Sequence, residues 1–145
     1  RFDERVTLVK IYPGFDYRLL EFYEKAGYRG IVLEGTGLGH APINVTDDAT
    51  KDHELLLKTI QRLTKTMIIA MASQCPYGKV NLNVYRPQRI LQEAGIVEAR
   101  MTSETALVKL GWSLGHTKNI NDAKKLFLSN VAGEILERVE IEAYE

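Results

Sequence analysis

Cysteine is almost absent, with Cys75 standing alone in 145 residues. That excludes an intrachain disulfide framework and fits a reducing compartment, so a cytoplasmic location is expected. Charge of one sign is missing too. Acidic and basic residues balance at 19 each and are spread along the chain, which removes any compositional argument for a nucleic-acid groove or an anionic membrane surface. No apolar run approaches the roughly 18 residues of a membrane-spanning helix. Internal repeats, low-complexity stretches and a dividing linker are also missing, so one domain is expected. The chain opens Arg1-Phe2-Asp3-Glu4-Arg5, without an initiator methionine or a signal-peptide pattern, and we expect a piece of a longer protein.

What is present alternates between strand and helix. Arg5 to Tyr12 is rich in β-branched residues and predicts a mostly buried strand, closed by Pro13-Gly14. Asp16 is placed to cap a helix from Tyr17 to Ala26, with Leu19, Leu20, Phe22 and Tyr23 at helical spacing and Gly27 as the stop. Gly30 to Glu34 is a second apolar strand. Strand, helix and strand within about thirty residues form a βαβ unit, which makes the sheet parallel. A helix from about His53 to Thr64, a third strand at Met67 to Ala72 and a helix from Tyr85 to Ala94 continue the alternation. Ile96 to Arg100 reads as a short fourth strand. Thr102 or Ser103 then caps a helix whose Ala106, Leu107, Leu110, Trp112 and Leu114 belong mostly to the core, with Gly115 as its stop. Another helix opens at Asn119 to Asp122. Glu134 to Glu145 permits either a ragged helix or an edge strand. The fold class is α/β, three layers, with a small parallel sheet of about four strands flanked by helices.

Two loops stand out. The second strand runs into Gly35-Thr36-Gly37-Leu38-Gly39-His40-Ala41-Pro42, and the third into Ser73-Gln74-Cys75-Pro76-Tyr77-Gly78-Lys79-Val80-Asn81-Leu82-Asn83. In an open parallel sheet ligands bind outside the carboxyl ends of the strands, so these neighbouring loops can share a pocket. The alternate glycines lack the order of a dinucleotide fingerprint and the Gly-Lys-Ser/Thr ending of a P-loop, and we read them as a close backbone approach to a ligand or a neighbouring chain. His40 is open to three readings: a ligand, a proton carrier or an ordinary loop residue. Asn81 and Asn83, two apart in an extended stretch, would point the same way and could hydrogen-bond a carboxylate or amide, although asparagine is also a common turn residue.

The remaining polar residues favour plainer roles. Asp47, Asp48 and Asp52 read as a helix start in preference to a calcium site. His53 and His116 read as helix-end residues, and no Cys/His spacing suggests zinc, so no metal site is expected. Cys75 has no activating base in view, and neither a serine elbow nor a paired-carboxylate set is visible.

The two loops, together with Met101-Thr102-Ser103-Glu104-Thr105-Ala106-Leu107-Val108-Lys109-Leu110, resemble the smaller C-terminal domain of the L-asparaginase superfamily over nearly the whole chain. Histidine after the third glycine, and Gln-Cys before Tyr-Gly-Lys-Val-Asn, make it similar to the D subunits of archaeal glutamyl-tRNA(Gln) amidotransferases. The resemblance implies a glutaminase that releases ammonia. Its partner, the E subunit of the same amidotransferases, would use that ammonia to form glutaminyl-tRNA(Gln) with ATP and magnesium, tRNA being met only through the complex.

The resemblance further implies that the threonine nucleophile and its Thr-Asp-Lys assistants lie in a larger N-terminal domain. Nothing in this chain matches the corresponding Gly-Gly-Thr-Ile or Thr-His-Gly-Thr-Asp-Thr motifs. No catalytic residue and no cofactor are therefore expected here, and the chain alone should be inactive. Its contribution would be substrate-facing groups at Gly39, His40, Asn81 and Asn83, offered to the active site of a second copy in a homodimer. His40 takes the place of an asparagine in typical asparaginases, and Asn81 or Asn83 falls near an acidic position. Two alternatives stay open: the matching domain of a free archaeal L-asparaginase, and a stand-alone α/β binding module.

Overall fold

The computed structural model describes residues 1–135. Among them four parallel strands lie in chain order: β1 (Val6–Lys10), β2 (Gly30–Gly35), β3 (Ile68–Ser73) and β4 (Val97–Glu98). Register is set by Val6 opposite Gly30, Gly30 opposite Ile68 and Ala70 opposite Val97. The central strands β2 and β3 are apolar on both faces because both faces are covered. Ile31, Leu33, Ile69 and Met71 pack with Leu20 of α1 (Arg18–Lys25), Leu56 and Ile60 of α2 (Asp52–Leu63), and Leu91 of α3 (Arg86–Glu93). Val32, Ile68, Ala70 and Ala72 pack on the other face with Ala106 and Leu110 of α4 (Ser103–His116) and Phe127 of α5 (Ile120–Leu128). The expected three-layer α/β architecture is thus found, its strands and helices starting and ending within a few residues of the expected positions.

Local chemistry explains the helix starts. The Asp16 carboxylate accepts from the Arg18 amide at 2.9 Å, Thr102 Oγ1 from the Thr105 amide at 3.4 Å, and Asn119 Oδ1 from the Asp122 amide at 2.9 Å. Asp47 caps a 3₁₀ turn (Asp48–Thr50), Asp48 pairs with Lys51 at 2.9 Å, and Asp52 begins α2. The acidic stretch is a helix entry.

One expectation fails. Gly115 does not stop α4; it lies inside the helix, which continues to His116. A Cβ there would sit 2.6 Å from the Arg1 carbonyl oxygen, and the Asp3 amide donates to the Gly111 carbonyl at 3.0 Å. Gly111 and Gly115, one turn apart, open a saddle for the N-terminal segment. That segment is tied down further by Asp3. Hydrogen bonds from Arg5 and then from Arg29, at 2.9 and 2.8 Å, hold its carboxyl well below the usual carboxylate range. The undecided terminal stretch lies outside the described residues from 136 onward.

Candidate functional site at the carboxyl edge of the sheet

After Gly35 the chain folds back on itself in five residues. The Thr36 amide donates to the His40 carbonyl at 3.2 Å, and the Thr36 carbonyl accepts from the amides of Gly39 and His40 at 3.0 and 2.9 Å. The second loop is bonded to this one along its length. The Gln74 amide donates to the Gly35 carbonyl at 2.9 Å and the Asn81 amide to the Leu38 carbonyl at 3.0 Å. Between them, Ser73 Oγ donates to the Gly37 carbonyl at 2.6 Å and accepts from the Cys75 amide at 3.0 Å. The two loops therefore form one unit, as their shared edge predicts.

A test follows from that serine. Ser73→Ala leaves the Gly37 carbonyl and the Cys75 amide without their partner. The expected cost is about 1 kcal/mol, since the site is partly open to water. Hydrogen exchange should quicken at the Gly37–His40 amides and stay unchanged in the core strands. Uniform exchange across the chain would contradict the bridging role.

At Gly39 the backbone closely approaches the chain's own β3 and second loop. Gly39 is buried with φ +101°, and a Cβ there would lie 2.9 Å from Met71 Cγ and 3.0 Å from Val80 Cγ1. Its neighbour His40 is half-buried, with Nδ1 3.3 Å from the Thr36 carbonyl oxygen and its ring centroid 5.5 Å from that of Tyr85. It lines a groove of about 510 Å³ with Tyr12, Pro13, Thr36, Thr50 and His53. Of the two readings of Asn81 and Asn83, the turn is the one found. Their stretch is a turn, in which the Asn83 amide donates to Asn81 Oδ1 at 3.1 Å. A local side-chain-to-backbone bond has outcompeted extension. Asn83 is exposed and Asn81 half-buried beside the His40 loop.

Sequence reasoning passed over the polar ring beneath these loops. Glu34 accepts from Ser103 Oγ at 2.8 Å and pairs with Lys10 at 3.1 Å. Gln74 Nε2 donates to the carbonyls of Ile11 and Glu34 at 2.6 and 2.8 Å, joining β1 to β2. Glu98 accepts from the Leu82 amide at 2.7 Å and from Arg100 Nε at 3.0 Å, fixing the end of the second loop to β4. The available signal was an acidic residue, Glu34, closing an otherwise apolar strand. Glu34, Ser73, Cys75, Arg100 and Ser103 surround a small cavity of about 130 Å³.

Chemically the edge offers hydrogen-bond donors and acceptors on a rigid frame. Ser73 and Ser103 each donate within the chain, to a carbonyl and a carboxylate, and neither faces an imidazole base in the hydrogen bonds they form. His53 Nδ1 meets the Asn44 carbonyl oxygen at 2.6 Å and His116 Nδ1 that of Trp112 at 2.8 Å. Among the described residues no three His, Cys, Asp or Glu side chains converge as a metal site.

Comparison with known proteins gives this edge a context. The sequence profile of the glutaminase/asparaginase C-terminal domain matches residues 5–127. The D subunit of the glutamyl-tRNA(Gln) amidotransferase of Pyrococcus horikoshii is 44% identical over 146 residues, which is 99% of this chain and 31% of that protein. Its namesake from Thermococcus kodakarensis is 45% identical over 93% of this chain and 29% of its own length. Among solved structures, the thermostable L-asparaginase from Thermococcus kodakarensis superposes with a TM-score of 0.82 at 33% identity, covering 94% of this chain and 39% of that one. The chain thus spans about a third of the length of the curated relatives it matches.

Proposed function

The chain belongs to the glutaminase/asparaginase C-terminal domain family, and on that premise we propose that it is the C-terminal domain of a glutamine-hydrolysing D subunit of an archaeal glutamyl-tRNA(Gln) amidotransferase. The observation that carries this reading is the 44–45% identity to D subunits over 93–99% of the chain. The ammonia released would serve formation of glutaminyl-tRNA(Gln). In this reading the nucleophile comes from an N-terminal asparaginase-like domain, and Gly39, His40, Asn81 and Asn83 form a wall of the pocket of a second copy. The E-type partner would bring ATP, magnesium and tRNA.

The strand order supports such a divided site. The strands among the described residues, in sequence order, give the sheet no point at which its winding reverses, and that reversal is what opens a ligand crevice inside a single domain. The loops then serve best as one wall, closed by another surface. A second reading, the domain of a free L-asparaginase, is favoured by the 0.82 TM-score to such an enzyme.

One experiment separates the two. The complete protein, with and without its E-type partner, is assayed for glutamine-dependent amidation of glutamyl-tRNA(Gln) and for asparagine hydrolysis. Amidation that needs both proteins is expected; efficient partner-free asparagine turnover would select the second reading. Within the complete protein, His40→Ala is expected to raise KM for glutamine about tenfold with little change in Tm, the size of one lost charged hydrogen bond. Unchanged glutamine kinetics would remove His40 from the site.

A further inference from the structure

Resting on the reading that His40 faces substrate, we propose that Tyr85 is a positioning residue that holds the His40 imidazole in one orientation and one tautomer, so that Nε2 is presented as a hydrogen-bond acceptor. The Thr36 carbonyl sets the tautomer. A carbonyl oxygen only accepts, so the ring nitrogen 3.3 Å from it, Nδ1, carries the hydrogen. In the neutral form of the ring the lone pair then lies on Nε2, the nitrogen left for a ligand. A group that donates, such as an amino group or the NH₂ of an amide, is the chemistry this nitrogen takes.

That hydrogen bond is long, and Thr36 O already accepts two backbone amides at 3.0 and 2.9 Å. It cannot fix the ring by itself, because a carbonyl oxygen has two lone pairs. The second restraint is the Tyr85 ring, 5.5 Å away between centroids and tilted by 43°, a geometry in the attractive range for aromatic pairs. Although 54% exposed, Tyr85 is held by its backbone. Its amide donates to Oε1 of the fully buried Gln88 at 3.0 Å, and its carbonyl accepts from the Arg89 amide at 3.1 Å. The ring therefore stands at the N-cap of α3 and leans on the imidazole from outside the loop that bears it. The groove His40 lines includes Tyr12, Thr36, Thr50 and His53 and no carboxylate, so no acidic side chain there competes for the proton.

The test uses the complete protein with ¹⁵N-labelled histidine. Two-bond ¹⁵N–¹H spectra of His40 should show a protonated Nδ1 and a bare Nε2, and in Tyr85→Ala the two nitrogen shifts should move towards each other as the tautomers mix. In glutamine kinetics Tyr85→Ala should raise KM about fivefold with kcat within about twofold, and Tyr85→Phe, which keeps the ring, should restore KM. The double variant with His40→Ala should be no worse than His40→Ala alone, because the tyrosine acts through the histidine. A wild-type His40 protonated on Nε2, a Tyr85→Ala spectrum and KM like wild type, or additive effects in the double variant would each overturn the proposal. If His40→Ala itself leaves KM unchanged, the substrate-facing reading fails separately, and the tautomer spectra alone decide whether Tyr85 orients the ring.

Discussion

Gly39→Val is expected to destabilise the protein by about 3–5 kcal/mol and to lower Tm by roughly 10–20 °C. Two costs add. At φ +101° a β-branched residue is held in strained backbone, and its first side-chain carbon would start 2.9 Å from Met71 Cγ and 3.0 Å from Val80 Cγ1. Met71 is a central-strand residue buried in the sheet and Val80 is a buried residue of the second loop, so neither has open space to retreat into. Gly37→Ala is the matched control. It too has positive φ, +52°, but its Cβ would meet nothing nearer than His40 Nδ1 at 3.7 Å, so about 1 kcal/mol of backbone cost is expected. Calorimetry of the two variants checks the difference. Equal and small losses would mean that the His40 loop does not rest on Met71 and Val80.

That contrast bears on what was legible in the sequence. The alternation of apolar strands with amphipathic helices was plain because the central strands β2 and β3 are buried on both faces and the helices pack through one stripe, so burial leaves a direct mark on composition. The carboxyl-edge loops were legible as a pair, since parallel topology forces their ends to one side. What each glycine does was not legible. The same residue type marks a turn at Gly37, a packing contact at Gly39 and a saddle at Gly115, and only the partner, remote in sequence, tells them apart. Gly115 faces Arg1 across the length of the chain.

Polar residues divided along the same line. Short-range partners, such as Asp16 with the Arg18 amide and Asn119 with that of Asp122, could be read from spacing. The Glu34–Ser103 contact spans 69 residues, and the bonds from Gln74 to Ile11 and Glu34 span 63 and 40. Spacing says nothing of those. The asparagine pair was left open between two readings for a related reason: alternation implies a common face only if the backbone is extended, and Asn81 bends it by binding the amide of Asn83.

Removal of Glu134 is the other large effect expected. Lys109 is a charged residue inside the packing face of α4, its side chain only 5% exposed, and it donates to the Glu134 carboxylate and the Ser129 carbonyl. Glu134, 15% exposed, also accepts from the amides of Val131 and Ala132 at 3.3 and 2.6 Å. Glu134→Ala strands the ammonium with one carbonyl partner and should cost about 2–3 kcal/mol, below a fully enclosed pair because the carboxylate keeps some contact with water. Lys109→Met with Glu134→Gln, which removes both charges, should recover much of that loss.

The pH dependence has a definite sign. The hydrogen bond from Lys109, with the backbone amides, pulls the Glu134 carboxyl from its ordinary value of 4.5 down to about 2. A depressed carboxyl stabilises the fold fully above its unfolded pKa and loses that contribution as pH falls through its folded one. Wild type and Glu134→Ala should therefore differ most above pH 4.5 and converge towards pH 2, measured as the gap between their urea-unfolding free energies. A gap that stays constant across this window would show that the contribution of Glu134 does not reside in its charge.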